Sequence, residues 1–323
     1  MNNKSLKITL NIFLFFLIAG FGIYMIHSVL SDERATLPDN DYQANSSISP
    51  YKKVNSFEAA SNIISFDISE HAIYAVQSNQ VSVYDISGTH RYDFEIKTNV
   101  RDIAVESGTL YLLYPTGIDV YTLDGEKTGE WEACSERSDY CAFTLTSAYI
   151  FVTDAANKHI CQYNKEGGFV RFINSPQGFI IPSYSFDIIN VNDTLYCSNS
   201  GRHCIESYST DGVFIASFGI AGTQAGAFAG CCNPVYLAQS AHGHILTSEK
   251  GNPRISCYGK EGTFRAVLFD AKALGGGTAA CEIHVSEEDI YIANKKTISV
   301  FRFDPNISEQ SCADCGARCH LII

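Results

Sequence analysis

The sequence predicts an all-β fold, a six-bladed β-propeller, carried behind one N-terminal transmembrane helix. Three observations predict it. A strand-like segment that ends in an aromatic residue, with a turn residue four positions later, occurs six times. A partner strand precedes each copy at a near-constant distance. Residues 8–30 contain no Asp, Glu, Lys or Arg. The organisation that follows is a cytoplasmic N-terminus (1–7), a membrane anchor (8–30), a linker (31–50), the propeller (51–305) and a cysteine-rich tail (306–323).

The anchor comes first. At about 1.5 Å per residue, this stretch covers the roughly 30 Å of a bilayer's hydrocarbon. Lys4 and Lys7 precede it, and Asp32 and Glu33 follow it. That asymmetry keeps the N-terminus cytoplasmic and exports the remainder, periplasmic or extracellular. A cleaved signal peptide is the rival, but its apolar stretch is usually shorter and ends in a small-residue cleavage site, which is not seen here. The first cysteine is Cys134, so no lipoprotein site follows the helix. Residues 31–50 are polar and aperiodic, as a flexible tether would be.

The repeat begins with Tyr84 and Gly88 in VSVYDISG. It continues with Tyr121 and Gly125, Tyr163 and Gly167, Tyr208 and Gly212, and Tyr258 and Gly262, and ends with Phe301 and Pro305. Glycine suits a tight hairpin that needs positive φ. The upstream partners are IYAV, LYLL, IFVT, LYCS, ILTS and IYIA. A third apolar patch lies before those, as in Phe66-Asp67-Ile68, and a fourth strand follows each of the first five turns. Four short strands repeating at this period are propeller blades. Helix is excluded by segment length and by the Val, Ile, Tyr and Phe content. The sixth copy lacks a fourth strand, and an open edge needs a partner. Residues 52–61 have no blade of their own, so they are expected to supply that strand and close the ring. Phe57 stands nine residues before Phe66, as Phe94 does before Ile103.

Residues 186–237 carry Phe218-Gly219, Gly222, Gly226, Phe228 and Pro234 leading into a new blade. That pattern resembles NHL-repeat propellers, and the wider architecture is NHL- or YWTD-like. IFVTDAANKHICQYNKEGGFV, with Asp154 and Asn157 in its hairpin, is similar to one such repeat. The resemblance is good over about 140–270 and loose elsewhere. It implies the fold and little about function, since such propellers serve as scaffolds, ligand binders and occasional enzymes.

The chain has 35 acidic against 23 basic residues, a net charge of -12. An acidic surface argues against nucleic acid as partner. Twelve cysteines in an exported chain suit disulfides. Cys134 with Cys141, and Cys197 with Cys204, would each close a short loop worth about 2.5 kcal/mol. Cys161, Cys204 and Cys257 fall on equivalent third strands and also read as small buried hydrophobes. Cys231 and Cys232 are adjacent in a glycine-rich loop and are candidates for structural pairing or a redox switch. In the tail, Cys312, Cys315, Cys319 and His320 suit disulfides or a thiolate metal site such as zinc. The spacing has one residue too many for covalent haem.

Hairpins with Lys158 and His159, Arg202 and His203, and Arg254 suggest a cationic ring for an anionic ligand. Against it, Asp154 and Glu249 stand where they would pair with Lys158 and Arg254. No hydrolase or kinase motif is present. Asp67, Asp102 and Asp187 sit near blade starts, where calcium-dependent propeller hydrolases and lyases converge carboxylates on the channel. The leading expectation is a non-enzymatic, membrane-anchored envelope propeller that binds a protein partner or small ligand on one face. A redox or metal-linked accessory and a propeller hydrolase or lyase are the alternatives.

Overall fold

The structure is a computed structural model, which describes residues 49–69 and 71–304. The predicted anchor and the cysteine tail lie outside the described residues. Among those described, no helix is long and apolar enough to cross a membrane.

Twenty-four strands form six four-stranded antiparallel sheets. Blade one is β2 (Ser65–Ile68), β3 (Ala72–Gln77), β4 (Gln80–Asp85) and β5 (His90–Glu95). Blade two is β6 (Asp102–Glu106), β7 (Thr109–Tyr114), β8 (Gly117–Thr122) and β9 (Lys127–Glu132). Blade three is β10 (Tyr140–Leu145), β11 (Tyr149–Asp154), β12 (His159–Asn164) and β13 (Phe169–Ile173). Blade four is β14 (Ile188–Val191), β15 (Thr194–Asn199), β16 (Cys204–Ser209) and β17 (Phe214–Phe218). Blade five is β18 (Tyr236–Gln239), β19 (Ile245–Glu249), β20 (Arg254–Tyr258) and β21 (Phe264–Phe269). Blade six is β22 (Glu282–Ser286), β23 (Asp289–Asn294) and β24 (Thr297–Phe303). Its outer strand is β1 (Tyr51–Glu58), from the other end of the described chain. β1 pairs antiparallel with β24 from Tyr51 opposite Phe303 to Glu58 opposite Thr297, so the ring closes as the repeat count requires.

The turn glycine has a second role beside its dihedral. Gly88 has φ +86°, and a methyl group there would overlap the Phe57 ring, which leans in from the preceding outer strand. The relation recurs with Phe94 over Gly125, Trp131 over Gly167, Ile173 over Gly212 and Phe218 over Gly262. Each of blades one to five therefore seats one large side chain of its predecessor in a notch that only glycine leaves open. Phe57 takes this position for blade one, which explains its spacing from Phe66.

The core is divided among the blade interfaces. Six apolar clusters each join two neighbouring blades. The closing interface packs Phe66, Ile73 and Tyr84 of blade one on Tyr291, Ile298 and Val300 of blade six. Strand alternation drives this arrangement: successive side chains point to opposite sides. On the innermost strands the middle residues Phe66, Ile103, Phe143, Ile188, Leu237 and Ile283 are all buried between blades. Their neighbours on either side face the channel.

Candidate functional site

The strand registers align two rings of channel residues. The pairs Phe66–Ala75, Ile103–Leu112, Phe143–Val152, Ile188–Cys197, Leu237–Thr247 and Ile283–Ile292 set the six blades in phase. The residues before these form the first ring: Ser65, Asp102, Ala142, Asp187, Tyr236 and Glu282. Those after form the second: Asp67, Ala104, Thr144, Ile189, Ala238 and His284. All but Ala238 line a cavity of about 650 Å³ at one end of the channel. Arg101, Ser183, Tyr184 and Lys250 also line it.

The three aspartates expected near the blade starts do converge here, and each also joins two blades. Asp67 accepts from its own Ile68 N–H at 2.7 Å and from Val105 N–H of blade two at 2.7 Å. Asp102 accepts from Ile103 at 2.9 Å and from Phe143 of blade three at 3.1 Å. Asp187 accepts from Ile188 at 2.8 Å and from Leu237 of blade five at 2.6 Å. Backbone donors thus fix the carboxylates while leaving them on the cavity wall.

Ser65 Oγ lies 2.9 Å from Asp102 Oδ1 and 2.6 Å from Glu282 Oε1. A hydroxyl has one proton to donate. Ser65 Oγ therefore bridges the two carboxylates with a single proton. Desolvation, with Glu282 and Asp187 adding like charge, pushes Asp102 well above the usual carboxylate range. Desolvation also lifts Asp187 to about 7, against the two backbone donors and aided by Glu282. His284 Nδ1 stands 3.2 Å from Asp67 Oδ1, and Nε2 stands 3.6 Å from Glu282 Oε1. Desolvation opposes its charge, but the two carboxylates overcome this and raise it to about 10. At neutral pH the second ring therefore holds an imidazolium between two carboxylates. Glu282 and His284 were not expected as site residues. Their signal was the alternation about Ile283, which puts both on the channel face.

The expected calcium-type arrangement is not formed by these acids. Among the described residues, the one set of three or more His, Cys, Asp and Glu donors close enough for a single ion lies elsewhere, at Cys134, Asp154, His159 and Cys161.

The hairpin cations do not assemble into a free ring. Arg254 is enclosed, donating to Glu249 Oε1 at 2.6 Å and to the Thr223 carbonyl at 3.3 Å, with Ala227 O a further acceptor. It thereby fastens the glycine-rich 219–228 loop. Arg202 donates to Gly178 O at 2.8 Å and to Gln177 O, while His203 bonds Gly230 O. Lys158 takes a left-handed turn conformation with φ +57°. Asp154 accepts from the Asn157 side chain at 2.9 Å and lies 3.7 Å from His159, so its partners differ from the expected Lys158.

No disulfide is formed among the nine described cysteines. The expected Cys134–Cys141 closure is not formed: Cys134 Sγ lies 3.0 Å from Cys161 Sγ, and Cys141 Sγ bonds Asp139 O at 3.7 Å. Cys197 and Cys204 are on paired strands but out of register, opposite Glu206 and Asn199 respectively. Cys161 and Cys257 are buried, as small hydrophobes would be, whereas Cys204 is half-buried. Cys231 and Cys232 approach to 2.8 Å between sulfurs, with Cys231 exposed and Cys232 buried. Burial works against the Cys232 thiolate, yet hydrogen bonds from Cys231 and Ser183 and the charge of Lys250 bring its thiol below the ordinary value. Ser183 and Lys250 are bonded to each other at 2.8 Å and belong to the cavity wall. The vicinal pair therefore sits at the rim of the channel.

The described fold and its channel define the chain as a six-bladed propeller with an acidic, histidine-bearing cavity on its axis. No family model and no curated protein matches it. Solved structures do. Virginiamycin B lyase from Staphylococcus aureus is 15% identical with a TM-score of 0.58, over 78% of this chain and 99% of that one. A Bacteroides thetaiotaomicron protein of unknown function is 13% identical with a TM-score of 0.55, over 78% and 75%. The Neurospora crassa Pan2 WD40 domain is 8% identical with a TM-score of 0.53, over 78% and 95%. At these identities the likeness establishes architecture alone, and all three are propellers or superpose on one.

Proposed function

We propose that the protein is a membrane-tethered, exported propeller that binds a small ligand bearing a cationic or hydrogen-bond-donating group in its channel. The carrying observation is the cavity of about 650 Å³ whose wall holds Asp67, Asp102, Asp187, Glu282 and Glu106, with His284, Arg101 and Lys250 as its basic residues. Backbone N–H groups hold the three aspartates in place before any ligand arrives, which lowers the ordering cost of binding. The tether rests on the uncharged stretch 8–30 with lysines before it and acids after it. Calorimetric titration with small amines and, in parallel, small carboxylates tests the binding. Amines are expected to bind, and Glu282→Gln to weaken them about tenfold or more. Binding by carboxylates alone, unaffected by Glu282→Gln, would overturn the reading. Protease accessibility in intact cells tests the export.

A second reading is favoured by a specific observation. Asp187, at about 7, is placed for proton transfer at neutral pH. His284 shares its cavity, and Glu282 links the two electrostatically. Virginiamycin B lyase has the same architecture, and a histidine-to-alanine variant of that enzyme, solved with quinupristin, is catalytically inactive. An acid–base lyase or hydrolase would show turnover of a lactone or ester that Asp187→Asn and His284→Ala both abolish. Binding without turnover selects the first reading.

A further inference from the structure

We propose that Cys134, Asp154, His159 and Cys161 form a four-coordinate site for a zinc-type divalent cation at the junction of blades two and three. Their donor atoms all lie within 4.8 Å of one another. The local fold explains how they meet. His159 and Cys161 are two apart on β12, so both side chains leave the same face of the sheet. Asp154 is the direct cross-strand partner of His159 at the β11–β12 hairpin. Cys134 arrives from the segment that joins the two blades, fixed by its own N–H donating to Tyr140 Oη at 2.9 Å.

The donors are oriented by their neighbours, as ligands in structural sites are. Asp154 Oδ1 accepts three backbone N–H groups, from Asp139, Ala156 and Asn157, each at 3.1 Å. Asp154 Oδ2 takes the Asn157 amide and faces His159 Nε2 at 3.7 Å. The Phe172 ring stacks on the imidazole with centroids 4.2 Å apart. His159 Nε2 is buried and has no hydrogen-bond partner. A buried orphan nitrogen is costly, and a cation would satisfy it. Two sulfurs, an imidazole and a carboxylate are a tetrahedral zinc donor set, whereas calcium and magnesium take oxygen. Binding releases the two thiol protons to solvent and changes no oxidation state.

A disulfide between Cys134 and Cys161 is the competing outcome. It would join two of the four groups and leave His159 Nε2 without a partner. The experiment uses the full chain carrying Cys312→Ser, Cys315→Ser and Cys319→Ser, so that no ion is contributed by tail thiols. Elemental analysis after purification is expected to show about one zinc per chain. Cys134→Ser and His159→Ala are each expected to lower it about tenfold or more. Cobalt exchanged into the protein without these two substitutions is expected to show thiolate charge-transfer and tetrahedral d–d bands, which keeps the test valid where a variant fails to fold. The proposal is overturned by a peptide cross-linked through Cys134 and Cys161, by absence of a bound ion, or by an ion that both variants retain.

Discussion

Two strand positions of the blade carry carboxylates in some of the six blades, and their surroundings differ. Asp154 and Glu249, at the ends of β11 and β19, are enclosed, at 0% and 1% exposure. Asp102 and Asp187 are only partly buried and face the channel cavity. The enclosed acids anchor the loops that enter their blades: Asp154 takes Asp139 N–H, and Glu249 holds Arg254, which grips the 219–228 loop. Gln77, Asn199 and Asn294 occupy the same strand position: Gln77 and Asn199 accept the Ser61 and Ile180 N–H groups, and Asn294 donates to Leu274 O. Asp102 and Asp187 bridge blades through backbone N–H groups, while the one channel imidazolium, His284, lies against Asp67 and Glu282. The difference separates two uses of an acid within the ring. One is held by donors around its own hairpin and secures the entering loop, and the other faces the channel cavity.

The contrast breaks first at Arg254. Arg254→Ala leaves Glu249 enclosed without its cation, and a loss of about 3–5 kcal/mol is expected in urea denaturation. Phe57→Ala removes the side chain seated over Gly88 at the closing interface. A loss of about 2–3 kcal/mol is expected, and a value below about 0.5 kcal/mol would show that β1 does not secure the ring.

The channel set should declare itself through pH. Asp187 holds its proton in the fold between the unfolded value of 3.8 and about 7. The folded state binds more protons across that interval, so stability is greatest below it and falls as pH rises towards 7. His284, raised from 6.5 to about 10, contributes stability that is complete below 6.5 and is lost as pH rises through 10. Thermal melting is therefore expected to fall by about 5 °C or more from mildly acidic to alkaline pH. Asp187→Asn should flatten the lower part of that curve and His284→Gln the upper part. Arg202→Ala, a hairpin cation bonded to loop carbonyls, should cost only about 0.5–1 kcal/mol. The smallest change in stability, with a clear chemical signature, belongs to Lys250→Met. It should leave folding within about 0.5 kcal/mol and slow alkylation at Cys232.

The blade count, the phase of the blades and the closing strand were legible in the sequence, because each depends on spacing along one chain. The tyrosine-to-glycine interval and the Phe57 offset both report a contact repeated at five blade junctions. Asp67, Asp102 and Asp187 were legible as blade-start acids for the same reason. Cysteine partners were not. Cys134 meets Cys161 because the 133–139 segment folds back across blade three, which no periodicity encodes. The hairpin cations misled because a sequence shows Arg254 without the Ala227 and Thr223 carbonyls that receive it. His284 was missed through its neighbours: Asp67 and Glu282, from opposite ends of the propeller sequence, make it a stable imidazolium.

Closure by β1 has a mechanical consequence. The chain enters the ring at Pro50 and leaves it at Asp304, whose N–H donates to Pro50 O at 2.7 Å. Both exits share one corner of the disc, at the rim farthest from the axis. Tension on the segment before Pro50 would load the β1–β24 ladder before any other part of the ring. That ladder is a latch: peeling it would open the ring at the blade six–blade one seam and expose the channel sideways, with the other five blade junctions still joined.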